Sequence, residues 1–220
     1  LQQEASRKLG FSAKRTMFIA QDLYRGVDIK GESVGLITYM RTDSVSLSNT
    51  ALSDCRKLIL DRFGKEYLPK TANIYKTKNS HAQEAHEAIR PTNPLIHPED
   101  ISDHLDYDQN RLYDLIWKRT IASQMQNAEY DQVSTNINSV DDQIVLRASG
   151  SITVFNGFTK IYTEGIDDKK DDKEYDKTIP NVSKNEVITL VETNPLQHFT
   201  DPKPRFTEAS LVKKLEELGI

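Results

Sequence analysis

Apolar and polar positions alternate with two different periods along the chain. Met17, Ala20, Leu23 and Tyr24 fall at i, i+3, i+6 and i+7, the spacing of a helix with one buried face over residues 13–25. Ser12 stands before this run as an N-cap, and Gly10 closes an earlier helix over residues 1–9. Two helices joined by Leu9-Gly10-Phe11-Ser12 make a helix-turn-helix pattern. Ala51, Leu52, Cys55, Leu58, Ile59 and Phe63 predict a third helix over 49–63, capped by Ser48 and ended by Gly64. Leu112, Leu115, Ile116 and Ile121 predict a fourth over 107–125, with Tyr113 and Trp117 as packing residues. Thr207 caps a last helix, Glu208–Leu218, closed by Gly219. Between these elements Gly26–Gly35 reads as a mobile loop, and Leu36–Met40 as a short β-prone run followed by a turn at Arg41–Ser44. Residues 65–106, with Pro69, Pro91, Pro94 and Pro98, read as loop and short helix.

From Tyr130 the period shortens to two. Tyr130, Val133, Thr135 and Ile137 open a series continued by Gln143–Ser149, Thr153–Tyr162 and Glu186–Glu192. Ser149-Gly150 and Asn156-Gly157 supply turns. The charged stretch 167–177 reads as a hairpin tip or disordered loop. The predicted class is therefore α+β, a mainly helical part followed by antiparallel β structure.

Charge sharpens this division. The 220 residues carry 29 Lys+Arg and 33 Asp+Glu, a net charge of −4. Residues 1–125 hold 18 basic and 16 acidic groups, and residues 126–220 hold 11 and 17. Overall acidity therefore leaves room for a local phosphate-binding patch in the first half, although a solvated surface explains the same excess. A single cysteine, Cys55, excludes an internal disulfide framework and a cysteine-based zinc site; its place in the third helix's stripe makes it a small core residue. No apolar run approaches the ~20 residues of a membrane span. A chain that starts at Leu1 and stops at Ile220 is expected to be a piece of a longer, cytoplasmic protein.

Few side chains offer chemistry. Asp106-Tyr107-Asp108 has a spacing seen around Mg²⁺, and equally that of an acidic helix N-terminus favoured by the dipole. His81 and His86 stand five apart, not the four of a helical zinc pair. No serine elbow or cysteine–histidine arrangement is present, which leaves tyrosine as nucleophile. In an extended segment Tyr39 and Arg41 share a face. A guanidinium there could grip a phosphodiester while the phenol attacks in line. Spacing alone leaves surface decoration open as well.

The string Gly35-Leu36-Ile37-Thr38-Tyr39-Met40-Arg41-Thr42-Asp43-Ser44 resembles the active-site tyrosine segment of type IA DNA topoisomerases. Ala20-Gln21-Asp22-Leu23-Tyr24 resembles the helix before it, and Glu84–Thr92 (Glu-Ala-His-Glu-Ala-Ile-Arg-Pro-Thr) the family's histidine motif. Gln197–Thr200 and Arg205–Val212 resemble the passage into the following domain, so the likeness spans the whole chain. Met40 is more similar to the bacterial topoisomerase I branch than to topoisomerase III or reverse gyrase.

The resemblance implies an ATP-independent isomerase that relaxes negatively supercoiled DNA by cutting one strand, passing the other and resealing. It implies Tyr39 as the nucleophile joined to the 5′ end, Arg41 at the scissile phosphate, and His86 in the hydrogen-bond network there. Gln21, Thr38, Thr42 and Asp43 are implied as supporting, DNA-contacting residues. Residues 1–126 would form a helical domain with a catabolite-activator-like helix-turn-helix, 127–198 part of a β-rich arch, and 199–220 the start of a DNA-lining domain. The family's Mg²⁺ cluster and catalytic lysine would lie in a Toprim domain outside this chain, so these residues alone are expected to bind no metal and to be inactive. Expected partners are single-stranded and negatively supercoiled DNA and the remaining domains of a monomeric, nucleoid-associated bacterial enzyme, with no membrane contact. The rival expectation is a non-catalytic helix-turn-helix DNA-binding module.

Overall fold

The computed structural model describes residues 1–75, 86–165, 182–197, 199–200, 202 and 205–219. The stretch 167–177 and His81 lie outside the described residues.

Local capping sets the helices. In α1 (Gln2–Leu9) the chain leaves through Gly10, whose φ of 71° is the left-handed conformation of a C-terminal glycine. In α2 (Ala13–Arg25) the Ser12 hydroxyl accepts from the Arg15 amide at 3.1 Å. In α3 (Asn49–Phe63) the Ser48 hydroxyl accepts from the Ala51 amide. In α4 (Tyr107–Ser123) Asp106 and Gln109 form a reciprocal capping box, and in α5 (Glu208–Leu218) Thr207 and Ser210 do the same.

The core lies between α2, α3 and α4. Leu23, Ile59, Leu112, Tyr113, Trp117 and Ile121 are among its largest buried side chains. The third helix's predicted stripe is buried except Phe63, which is half-buried. On α2 the buried face is instead Thr16, Ile19, Ala20 and Leu23, with Tyr24 40 % exposed. Thr16 fits there because its hydroxyl donates to the Ser12 carbonyl at 2.9 Å.

The polar tips of the α4 side chains hold the loop-rich stretch. The Trp117 indole donates to the Pro94 carbonyl at 2.8 Å, and the Tyr113 hydroxyl to the Ile96 carbonyl at 3.0 Å. Just beyond the helix, the fully buried Gln124 amide exchanges two hydrogen bonds with the Asn73 backbone. Two 3₁₀ turns, Lys65–Tyr67 and Pro98–His104, are the only helical pieces described in this stretch.

Gly26–Gly35 is not a loop. It folds as a two-stranded antiparallel hairpin, β1 (Val27–Ile29) and β2 (Glu32–Val34). Lys30 and Gly31 at its tip both have positive φ, 56° and 87°, and the Asp28 carboxylate accepts from the Gly31 amide at 2.8 Å. That is the turn whose twist suits paired strands. Three glycines signal such a turn as readily as mobility, and Val27, Ile29 and Val34 pack on the core.

The β region holds one long hairpin, β3 (Glu129–Asn138) with β4 (Val145–Phe155). Ser149-Gly150 is not a turn: both residues pair within it, with Ser134 and Val133. The reversal is instead at 139–144, where the Ser139 hydroxyl donates to Asp141 and accepts from the Ile144 amide. Thr153–Tyr162 does not continue as strand, because at Gly157 the chain turns into a 3₁₀ helix, Gly157–Lys160, that packs back on the helices. Glu186–Glu192 has no strand partner among the described residues. Among the described residues no helix is long and apolar enough to cross a membrane.

Tyr162 joins this return segment to α1. Its ring is 3 % exposed and its hydroxyl donates to Glu4 at 2.5 Å. Burial raises the Glu4 pKa, but hydrogen bonds from Tyr162, the Gly165 amide and Arg7 outweigh it and hold the carboxyl below its ordinary range. A depressed carboxyl contributes stability that is complete above its unfolded value of about 4.3 and lost as pH falls through the lower folded value. The stability gap between wild type and Glu4→Gln should therefore be widest near neutrality and shrink in acid, as urea melts across pH will show. Burial also pushes the Cys55 thiol up to about 12. Its modification by DTNB at pH 8 should be slow in the native state and rise only along the unfolding transition.

Candidate active site around Tyr39

Residues 35–38 enter the site extended and pair with two neighbours. The Leu36 amide donates to the Leu23 carbonyl at 2.8 Å, which docks the segment on the end of α2. On its other side the Thr38 amide donates to the Arg90 carbonyl and the Thr92 amide to the Leu36 carbonyl, both at 2.9 Å, with an antiparallel bridge between Ile37 and Pro91. Leu36, Ile37 and Met40 are buried. The β-prone run is thus a single bridged crossing, not a sheet strand.

Thr38 ties the tyrosine segment to the histidine segment. Its hydroxyl donates to the Ala88 carbonyl at 2.7 Å and accepts from the Arg90 amide at 3.0 Å. The Thr92 hydroxyl donates to the Gly35 carbonyl at 2.7 Å, and the Ala88 amide to the Ser46 carbonyl at 2.8 Å. Arg90 pairs with Glu87 at 2.5 Å and also donates to the Pro91 and Thr92 carbonyls. The Arg90 hydrogen bond holds the Glu87 carboxyl below its ordinary range, with help from Ser48, so the same carboxylate reaches the start of α3.

Tyr39 stands half-buried between two rings. Its centroid is 5.4 Å from His86, tilted by 33°, and 5.4 Å from Tyr24, edge-on at 67°. Its hydroxyl makes no hydrogen bond among the described residues. The backbone bends at Met40 and Arg41, so the two-residue strand period that would put Tyr39 and Arg41 on one face is not kept. Arg41 is exposed and carries no ion pair among the described residues, leaving its guanidinium open. Gln21 is half-buried one turn before Tyr24 on α2, the Thr42 hydroxyl accepts from the Ser44 amide at 3.0 Å, and Asp43 is exposed. The structure therefore brings Tyr39, His86 and Thr38 into one packed group, with Arg41, Thr42 and Asp43 on the chain leaving it.

Asp106 and Asp108 are committed elsewhere. Asp106 caps α4, and Asp108 accepts from Arg15 at 2.7 Å. Among the described residues no three His, Cys, Asp or Glu side chains gather as a metal site.

The whole chain, residues 1–220, matches the sequence profile of a family described as DNA topoisomerase. The chain belongs to the bacterial type IA DNA topoisomerases. It is 54% identical over its full length to the DNA topoisomerase 1 of Rickettsia felis and 49% identical to that of Xylella fastidiosa strain Temecula1. Full-length topoisomerase I from Thermotoga maritima superposes on all of the chain with a TM-score of 0.73 at 36% identity. The chain spans about 28% of the Rickettsia relative's length and 34% of the Thermotoga chain. The match also agrees with the α+β description at its coarse level, mixed helices with small antiparallel sheets.

Sequence reasoning missed two neighbours of the topoisomerase tyrosine segment. Tyr24 was expected on the buried stripe of α2, yet its ring packs on Tyr39. Its signal was present: as the residue before Arg25 it ends the helix beside the glycine-flanked hairpin that leads to Tyr39. The Glu87–Arg90 pair sits inside the histidine motif, where three-residue spacing alone did not distinguish it from a surface pair.

Gly35 passes so close to α2 that an added Cβ would lie 2.9 Å from the Tyr24 carbonyl oxygen. Gly35→Ala should push the tyrosine segment off α2, and Thr38→Val should leave the Arg90 amide short of an acceptor at a cost of about 1–3 kcal/mol. Urea melts will give both losses. An unchanged midpoint for Thr38→Val would mean that its hydroxyl does not hold the two segments together.

Proposed function

We propose that this chain is the nucleophile-bearing segment of an enzyme that relaxes negatively supercoiled DNA without ATP. The observation that carries the proposal is Tyr39: a ring held between Tyr24 and His86, its hydroxyl and the following Arg41 guanidinium without partners among the described residues, in a member of this family. The Tyr39 oxygen attacks the scissile phosphorus and gives up its proton. The bond from phosphorus to the 3′ oxygen breaks, that oxygen takes a proton, and the 5′ end stays on the tyrosine as a phosphodiester. Resealing is the reverse attack by the 3′ hydroxyl. One phosphodiester replaces another at each step, so no ATP is consumed.

Arg41 binds the non-bridging oxygens in this scheme, where a planar fork offsets the charge developing in the transition state. His86 both supports the ring of Tyr39 and faces the phosphate. Gln21, Thr42 and Asp43 line the strand's path, while Thr38 acts through the backbone it holds. Mg²⁺ belongs to carboxylates of a Toprim domain outside this chain. Residues 1–126, with the α1–Gly10–α2 turn, form the catabolite-activator-like helical domain, 127–198 the arch segment, and 199–220 the entry to the DNA-lining domain. The enzyme acts on single-stranded regions in the cytoplasm, at the nucleoid, as a monomer.

In the complete enzyme Tyr39→Phe keeps the ring and should abolish the covalent DNA adduct while leaving noncovalent single-strand binding within about twofold. Supercoil relaxation by that variant would refute the assignment. Arg41→Lys keeps the charge but loses the fork, and should lower the cleavage rate by on the order of a hundredfold. Wild-type cleavage by it would make Arg41 a bystander.

A further inference from the structure

A second concave surface lies along α4. Two adjoining hollows, of about 280 and 570 Å³, share Asp114, Lys118, Lys160 and Ile161 and so form one groove along α4. Its sides are α1, the end of α3 and the return segment 159–163. The start of α3 touches Glu87, next to the tyrosine site, and its last residues, Arg62 and Phe63, line the groove. At 1.5 Å per residue the two sites stand about 22 Å apart along that helix. The groove is no extension of the cleavage site.

Its charge runs against that of the whole chain. Lys8, Arg62, Arg111, Lys118 and Lys160 line it, opposed by two carboxylates, Asp114 and Glu99. Asp114 is taken by Lys118 at 2.7 Å, and Glu99 lies 3.6 Å from His97. Lys160 has no carboxylate partner among the described residues; its ammonium sits 4.5 Å from the centre of the Tyr67 ring and 3.4 Å from that residue's hydroxyl. Arg111 donates to the Leu9 carbonyl and lies over the Phe11 and Tyr107 rings, again without a carboxylate. Burial lowers the Lys8 pKa; Glu4 and Glu164 oppose that, and the nearby Arg119 and Lys118 cations add to it. The floor is apolar: Leu115, Trp117 and Ile161. Trp117 is 2 % exposed and offers no face for a base to stack on.

We propose that this groove binds the phosphate backbone of single-stranded DNA, as a holding site separate from the one at Tyr39. The ligand class follows from cations on both walls, which suit a thin polyanion held through its phosphates. A duplex is too broad to enter a hollow between packed segments and would touch only the rim. The proposal rests on the reading of the protein as a DNA topoisomerase segment, and adds a second strand contact to it.

The test is a fluorescence-anisotropy titration of the 220-residue chain with labelled oligothymidylate at several salt concentrations. Each cation that neutralises a phosphate of a single strand contributes about −0.7 to the slope of log K against log salt. The Lys118→Ala/Lys160→Ala double variant should flatten the slope by up to about 0.7, the share of Lys160, since Asp114 already neutralises Lys118. Asp114→Asn, which frees Lys118, should tighten binding and steepen the slope by up to about 0.7, a gain that misfolding cannot mimic. Slopes unchanged in both variants would overturn the proposal. So would a loss confined to duplex DNA, which would make the surface a duplex contact. Arg41→Ala in the same assay reports the tyrosine site, and covalent-adduct formation by the complete enzyme reports Tyr39. Failure of the groove therefore cannot be confused with failure of the cleavage assignment.

Discussion

A single threonine hydroxyl governs the geometry around Tyr39. Thr38 donates to one carbonyl of the histidine segment and accepts from one of its amides, so both its hydrogen-bonding directions are used to hold two segments of the chain together. The histidine segment is itself fixed by the Glu87–Arg90 pair and by the Ala88 amide on Ser46. The segment beside Tyr39 therefore stays put without belonging to any regular element. Side-chain to backbone bonds can replace a sheet ladder where the chain must stay irregular.

The hydrophobic core acts at a distance on the same site. Trp117, Tyr113 and Gln124 are buried with their polar atoms aimed at the backbone of Pro94, Ile96 and Asn73. Loops carry backbone groups that burial would otherwise leave unpaired. Here one helix and its end meet that need at Asn73, Pro94 and Ile96. The tyrosine segment depends on α2 in the same way, through the Leu36 amide and the close pass of Gly35.

What was legible in the sequence follows from which interactions are local. Helix caps at Ser12, Ser48 and Thr207 involve residues three apart and were readable with their boundaries. Gly26–Gly35 was misread because a glycine-rich turn and a mobile loop share one composition, and only the packing of Val27, Ile29 and Val34 separates them. Ser149-Gly150 offered turn chemistry, but pairing with Val133 and Ser134 overrode it. The tyrosine motif was legible through family resemblance; spacing alone carried it no further than a Tyr-x-Arg pair, and the bend at Met40 removes even the strand geometry behind that. The contact between Tyr24 and Tyr39 bridges the hairpin insertion, a separation that no local pattern encodes.

The long hairpin has mechanical consequences. Its two feet are latched side by side: the Phe158 amide donates to the Gln126 carbonyl, the Gln126 amide to the Tyr67 carbonyl, and the Tyr67 hydroxyl to Asn156. Gly157 sits so tightly there that a Cβ would lie 2.5 Å from the Asn127 backbone. Ten residues of strand rising about 3.3 Å each make a lever of about 33 Å. A tilt of about 10° at the feet then carries the tip about 6 Å. A load applied at the tip reaches the latch multiplied by the ratio of arm to foot, so Tyr67 and Asn156 act as a fulcrum that converts slight yielding at the base into a wide swing at the far end.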